Sequence, residues 1–224
     1  VARKQHIIAL TGFAGVGKDT VADLLVTHLG FVKLAFGDAL RAEVAEAFDV
    51  DMATLSDPRT KHLPTPALAM ARAPLGFVGA VALTIGSEHR DGRGMLAQAW
   101  LEQARTPRQV MQWWGTEYRR RQSANYWTRQ LAARLAGLAR AGHDRMVVTD
   151  CRFANEADCI HGAGGRIWQV TRPGIEASTT TEGHHVSATD GSAFHPSVVL
   201  SNSHDIAHLQ RLVFDAFMEL ETAR

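Results

Sequence analysis

The order of apolar and polar positions divides the chain into short strands and longer amphipathic helices. "HIIALTG" (6–12) is a continuous apolar run of strand length, and residues 19–29 carry helical spacing that stops at Gly30. "FVKLAF" (31–36) reads as a second strand. A helix then runs to Phe48, with Asp38 as its cap and Leu40, Val44 and Ala47 on one side. Prolines at 58, 64, 66 and 74 break the pattern over 49–105, and "HRDGRG" (89–94) reads as an exposed loop, so this region is expected to be irregular and partly helical. Regularity returns at 106–121, where Thr106 caps and Pro107 takes the first helical position. At about 100° per residue, Val110, Met111, Trp114 and Tyr118 share an apolar face, while Arg108, Gln112, Gly115 and Arg119 share another. A helix over 126–141 buries Trp127, Leu131, Leu135 and Leu138. Strands are expected at 145–150, 166–171 and 197–200, and a closing helix at about 205–220. Strands alternating with helices imply an α/β fold whose parallel sheet is covered on both faces. No internal repeat or low-complexity tract interrupts it.

Composition narrows the picture. With 224 residues and 46% apolar content, the chain suits one globular domain, or one domain with an inserted cap. A formal charge of +1 supplies no global field toward nucleic acid or anionic lipid, so an anion site has to be a local cluster. Cys151 and Cys159 are too few for a disulfide framework, and no stretch reads as a secretion signal. The longest apolar run, 74–86, is short for a bilayer and holds three glycines. A reduced, cytoplasmic protein with no membrane association is expected.

The sharpest chemical signal is "LTGFAGVGKDTVADLL" (10–25). Gly12 and Gly17 bracket four residues and precede Lys18, which is the spacing of a phosphate-binding loop between a strand and a helix. Such a loop aims backbone N–H groups and a helix's positive end at one spot, and Lys18 adds a mobile charge for the β- and γ-phosphates. Asp19 stands where Ser or Thr usually ligates Mg²⁺; it could hold the metal through water or simply cap the helix. Thr20 is placed to contact a phosphate oxygen. A second signal is "RMVVTDCRFANEAD" (145–158), where Asp150 ends an apolar strand. There a second Mg²⁺-organising carboxylate belongs, although a strand-end Asp can also be a turn former. Arg152 lies two residues further on. Arg41, Arg108, Arg119, Arg120, Arg152 and Arg172 offer cations for phosphoryl transfer, and Arg108 with Gln112 makes the best pair, a phosphate fork beside an amide able to read a base edge. The eleven histidines show no convincing metal spacing. Cys151 reads as a core residue and Trp113–Trp114 as packing.

This set of motifs resembles the deoxynucleoside monophosphate kinase family of tailed bacteriophages and some bacteria. The matches are "GKDTVADLL" (17–25), "LAFGDALR" (34–41), "DPRTK" (57–61), "TPRQVMQWWGTEYRR" (106–120), Trp127, "VVTDCRFANEAD" (147–158), "VTRPG" (170–174), "HHVS" (184–187) and "LSN" (200–202). Gly-Thr-Glu with Arg three residues after Glu, and Asp-x-Arg-Phe-x-Asn-Glu, are its more specific parts. The resemblance implies a three-layer P-loop kinase fold in a single domain over 1–224. It would have a five-stranded parallel sheet, an acceptor-side helical insertion over 49–105 and a lid region over 172–190. It also implies transfer of the γ-phosphoryl group of ATP, with Mg²⁺, to a deoxynucleoside monophosphate. Carried over by position, Gly12, Gly15, Gly17, Lys18, Asp19, Thr20 and Arg172 would bind ATP, with Asp19 and Asp150 toward the metal. Lys18, Asp150 and Arg152 would flank the transferring group, and Arg41, Arg108, Gln112 and Arg120 would hold the acceptor. Two positions depart from the family: Arg41 replaces a commoner lysine, and Ala188 stands where a Glu often follows His-x-Ser. A kinase for another phosphorylated metabolite or for a modified base in DNA, and a regulatory nucleotide-binding module, are the alternatives. The neutral charge argues against duplex DNA, and the second phosphate clamp argues against a pure sensor. Small-molecule nucleotides are the expected partners, and a homodimer stays open.

Overall fold

The computed structural model describes residues 5–175 and 194–222. The chain forms two compact units, one of Val1–Phe36 with Thr128–Arg224 and the other of Gly37–Trp127.

The first unit is built on a sheet of five parallel strands in the order β2-β3-β1-β4-β5. The strands are β1 (His6–Thr11), β2 (Val32–Leu34), β3 (Arg145–Val148), β4 (Arg166–Thr171) and β5 (Val198–Ser201). β1 is central, pairing Ile7 with Met146 of β3 and Ala9 with Ile167 of β4. Alternation along each strand makes two cores. Ile8, Leu10, Val147, Trp168 and Val170 pack with Val21 and Leu25 of α1 (Lys18–Leu29) and with Leu209, Val213 and Phe217 of α9 (Ile206–Thr222). Ile7, Ala9, Met146, Val148 and Ile167 pack with Leu131 and Leu135 of α7 (Tyr126–Arg140) and with Ala157 and Ile160 of α8 (Ala154–Gly162). The sheet is therefore covered on both faces, as the alternation of elements implies. Each large side chain fully buried here contributes roughly 1.5–3 kcal/mol, so a charge at Val213, which has 0% exposure, would break the α9 face. Gly30 ends α1 in the left-handed conformation, φ 70°, and its N–H closes on Leu25 and Val26.

The second unit contains α2 (Gly37–Phe48), α3 (Met52–Ser56), α4 (Leu75–Ala82), α5 (Gln98–Glu102) and α6 (Pro107–Gln112). Residues 49–105 hold only short helices and 3₁₀ turns, clasped by an antiparallel bridge in which Thr65 N–H donates to Arg105 O at 2.9 Å. Its core joins Val44, Phe48, Phe77, Val110, Trp114 and Trp127, with the Phe77 and Trp114 rings 4.7 Å apart. α2 begins at Gly37, so Asp38 lies in its first turn instead of capping it from outside.

Two expectations change. α6 does not continue at the α period: Trp113–Arg120 form a π-helix. Its i→i+5 bonds bring residues five apart onto one face. Trp114 and Arg119 accordingly both reach Glu43, and Gly115 is buried, its carbonyl accepting from Trp127 Nε1 at 3.2 Å. Gly115 and Arg119 thus leave the polar face that an α period gives them with Arg108 and Gln112. The second change is α8, a helix that the pattern of the sequence did not announce. Among the described residues, no helix is long and apolar enough to cross a membrane.

Candidate active site

β1 ends at Thr11 and α1 begins at Lys18, and the turn between them holds Gly12, Gly15 and Gly17 at φ 128°, 83° and 105°. Two of these positions admit no side chain. A Cβ on Gly12 would stand 2.2 Å from Val170 O, and one on Gly17 would stand 2.5 Å from Asn202 Nδ2. The positive φ favours glycine at both, and at Gly12 the fixed Val170 carbonyl requires it as well. Gly17 is the N-cap of α1 and offers no side-chain oxygen, so the helix's first N–H groups are left to another acceptor.

Lys18 turns back into this loop. Its Nζ donates to Gly12 O and Phe13 O, each at 2.7 Å. Burial, reinforced by the Arg152 guanidinium and opposed by Asp19 and Asp150, lowers its pKa from the ordinary 10.5 to about 8. Arg152, Asp19 and Asp150 therefore all act on Lys18 within a single unit. Asp150 follows β3, and its Oδ1 accepts from Phe36 N–H at 2.7 Å. Arg152 is exposed, but its backbone is held: the buried Glu156 carboxylate accepts from Arg152 N–H at 2.8 Å and Phe153 N–H at 3.2 Å, closing the start of α8. Cys151 between them is buried, and burial first, then the nearby Glu156 and Asp150, pushes its thiol far up, as befits a core residue.

Asp19 behaves differently from Asp150. Its side chain is 84% exposed and lies 3.3 Å from Lys33 Nζ, which also binds Asp23 at 2.9 Å. Thr20 is half-buried on α1. Arg172 follows β4 and is exposed; of the lid region expected over 172–190, residues 176–190 lie outside the described residues, including "HHVS" and Ala188.

The acceptor candidates all belong to the second unit. Arg41 Nη1 pairs with Asp38 Oδ1 at 2.9 Å, one turn apart on α2. Thr106 Oγ1 caps α6 by accepting from Gln109 N–H at 3.1 Å, which fixes the turn carrying Arg108. Arg108 is exposed; its N–H donates to Lys61 O at 3.0 Å. Gln112 closes α6, and the half-buried Arg120 closes the π-helix. Arg119 has a structural partner. Its Nε donates to Glu43 Oε2 at 2.7 Å, and its guanidinium lies 4.7 Å from the Tyr118 ring centre and 4.9 Å from that of Tyr126. Glu43 also accepts from Trp114 Nε1 at 2.8 Å and Tyr126 OH at 2.5 Å. Lys33 and Glu43 carry no motif signal and were not singled out by sequence, whereas Glu156 entered only as the closing Glu of Asp-x-Arg-Phe-x-Asn-Glu and Asn202 only as the last letter of "LSN".

A strand, a glycine turn, a lysine and a helix, set at the carboxyl end of the central strand of this parallel sheet, make the phosphate-binding loop of a P-loop α/β fold. No family model matches the sequence. A "putative deoxynucleotide monophosphate kinase" of Acanthamoeba polyphaga mimivirus is 28% identical over 189 residues, spanning 78% of this chain and 78% of that protein. Dephospho-CoA kinase from Campylobacter jejuni superposes over 97% of this chain and 98% of its own, with TM-score 0.46 and 10% identity. A protein from Thermus thermophilus superposes over 97% and 99%, with TM-score 0.46 and 17% identity. The resemblance to deoxynucleoside monophosphate kinases carried by the motifs is thus matched by a relative of that description over most of both chains.

Proposed function

We propose that this protein phosphorylates deoxynucleoside monophosphates, transferring the γ-phosphoryl group of ATP to give the diphosphate and ADP. The observation that carries the reading is Lys18, a partly buried ammonium in a glycine loop under the joint influence of Arg152 and Asp150. A cation desolvated in this way is stabilised by a polyanion, and the helix beside it starts after Gly17 with no side-chain cap on its first N–H groups. The residues also fit Mg²⁺. Among the described residues, no group of three or more His, Cys, Asp or Glu makes a protein cage. Mg²⁺ usually keeps water and takes one or two carboxylates plus substrate phosphates, which Asp150 suits better than the Lys33-paired Asp19. Bound there, the metal would neutralise charge on the β- and γ-oxygens.

In this reading the loop amides, Lys18 and Thr20 hold the donor phosphates. Lys18 and Arg152 stabilise the charge that shifts as the bond from the γ-phosphorus to ADP breaks and the bond to an acceptor phosphate oxygen forms. Arg41, Arg108 and Arg120 clamp the acceptor's phosphate and Gln112 reads its base. Residues 49–105 form the acceptor side, and Arg172, following β4, belongs to the donor side. The test is ADP release measured with every ribo- and deoxyribonucleoside monophosphate. Turnover with at least one deoxynucleoside monophosphate is expected. Turnover only with another phosphorylated metabolite, or none, overturns the assignment.

A further inference from the structure

Asn202 follows the last residue of β5 and makes two bonds in different directions. Its backbone N–H donates to Thr171 O at 2.8 Å, extending the β4–β5 pairing by one step. Its side-chain Nδ2 donates to Val16 O at 2.9 Å, inside the phosphate loop. The same Nδ2 occupies the space that a Cβ on Gly17 would need, 2.5 Å from it, so the amide rests directly on the loop backbone. Leu200, 2% exposed in the core two residues earlier, fixes where this side chain starts.

The carbonyl and N–H of a trans peptide point in opposite directions. Tying Val16 O to Asn202 therefore turns the Gly17 N–H away from Asn202 and holds it there. We infer that Asn202 is a positioning residue which presets the Val16–Gly17 peptide so that the Gly17 N–H is presented to the donor's phosphates. This rests on reading the loop as the ATP site. An amide is the side chain the arrangement needs: a carboxylate would set a second acceptor against Val16 O, and a serine is too short to take over the bond. Gly17 and Asn202 form a matched pair, since any side chain at 17 collides with the amide. The cost of ordering this peptide is met in folding instead of at binding, which is how a preorganised site gains affinity.

The test compares wild type, Asn202→Ala and Asn202→Asp as full chains. ADP affinity is measured by calorimetry, nucleotide-free melting by circular dichroism, and KM for each substrate by ADP release. Asn202→Ala is expected to weaken ADP about tenfold, in line with losing one partly buried hydrogen bond to a loop that must then order on binding. Asn202→Asp should weaken it further, while KM for the monophosphate and the melting temperature stay close to wild type. If wild type binds ADP and Asn202→Ala binds it within twofold, the positioning role is wrong. Equal shifts in both KM values with a lowered melting temperature, or loss of the fold in both variants, would make Asn202 a structural brace and overturn the proposal. Wild type that binds no adenine nucleotide removes the loop reading itself, a distinct result.

Discussion

The backbone N–H of Phe36 donates to Asp150 Oδ1 at 2.7 Å, tying the carboxylate that follows β3 to the residue that leaves the neighbouring strand β2. One oxygen of Asp150 therefore has a structural duty whatever else the residue does. Asp150→Asn can keep that bond through its amide oxygen, whereas Asp150→Ala leaves the Phe36 N–H without it. Asp150→Ala should lose about 1–2 kcal/mol of stability in urea melts, and Asp150→Asn much less. If the charge organises Mg²⁺, both variants lose turnover by orders of magnitude and Asp150→Asn needs more Mg²⁺. Superimposable Mg²⁺–rate curves for wild type and Asp150→Asn would reduce the residue to its structural bond.

Lys18 gives the site a pH signature. Its folded pKa, lowered by burial and by Arg152 to about 8 from 10.5, means that the folded nucleotide-free protein releases this proton before the unfolded chain does. Between those two values the unfolded chain binds more protons, so this group alone makes nucleotide-free stability rise with pH across about 8 to 10.5 and contribute no further slope below it. A bound polyphosphate reverses the shift by favouring the ammonium. ADP binding should therefore take up a proton above about pH 8, measured by calorimetry in buffers of different ionisation heat. Lys18→Met should abolish that uptake. Undiminished uptake in Lys18→Met would mean another group is responsible.

Glu43 is expected to matter for stability more than for chemistry. Its carboxylate accepts from Trp114 Nε1, Arg119 Nε and Tyr126 OH at 2.8, 2.7 and 2.5 Å. Glu43→Ala strips three donors of their acceptor and should cost about 2–4 kcal/mol in chemical denaturation. Arg119→Ala should also destabilise, and the double variant should lose less than the sum of the singles, with a coupling of about 1 kcal/mol or more. Additive losses would show that the Glu43–Arg119 contact contributes nothing of its own.

The sequence was informative where a local rule decides the structure and silent where tertiary contact decides it. Apolar runs located β1 and β4 because a buried parallel strand needs nothing else, and Gly30 marked the end of α1 because only a left-handed residue closes it. The glycine turn between β1 and α1 was legible because its glycines answer to steric limits at fixed spacing. α8 was not, since Phe153 stands where a cap is sought and Glu156 supplies the acceptor from inside the helix. The π-helix was illegible for a similar reason. Val110, Met111, Trp114 and Tyr118 satisfy an α period, and the wider turn shows only when Trp114 and Arg119 are seen to share Glu43, more than seventy residues away in sequence.

The acceptor assignment makes the last prediction, because it separates residues that lie close together on the chain. Arg108 is exposed in the first turn of α6, Gln112 closes the same helix, and Arg119 is consumed by Glu43 and two aromatic rings. A phosphate clamp has to offer a guanidinium to solvent, and a base reader has to offer an amide with both donor and acceptor. Arg108→Ala should therefore leave the melting temperature unchanged and raise KM for the monophosphate by about tenfold or more, the loss of one charge-assisted contact, with KM for ATP little altered. Gln112→Ala should change the ranking among the bases more than the affinity for any phosphate. Arg119→Ala should lower stability first, and its kinetic effect should shrink as temperature falls and the folded fraction recovers. An Arg108→Ala protein that loses ATP and keeps its acceptor would exchange the two roles. In that case the acceptor's phosphate would have to be sought at Arg41 or Arg120.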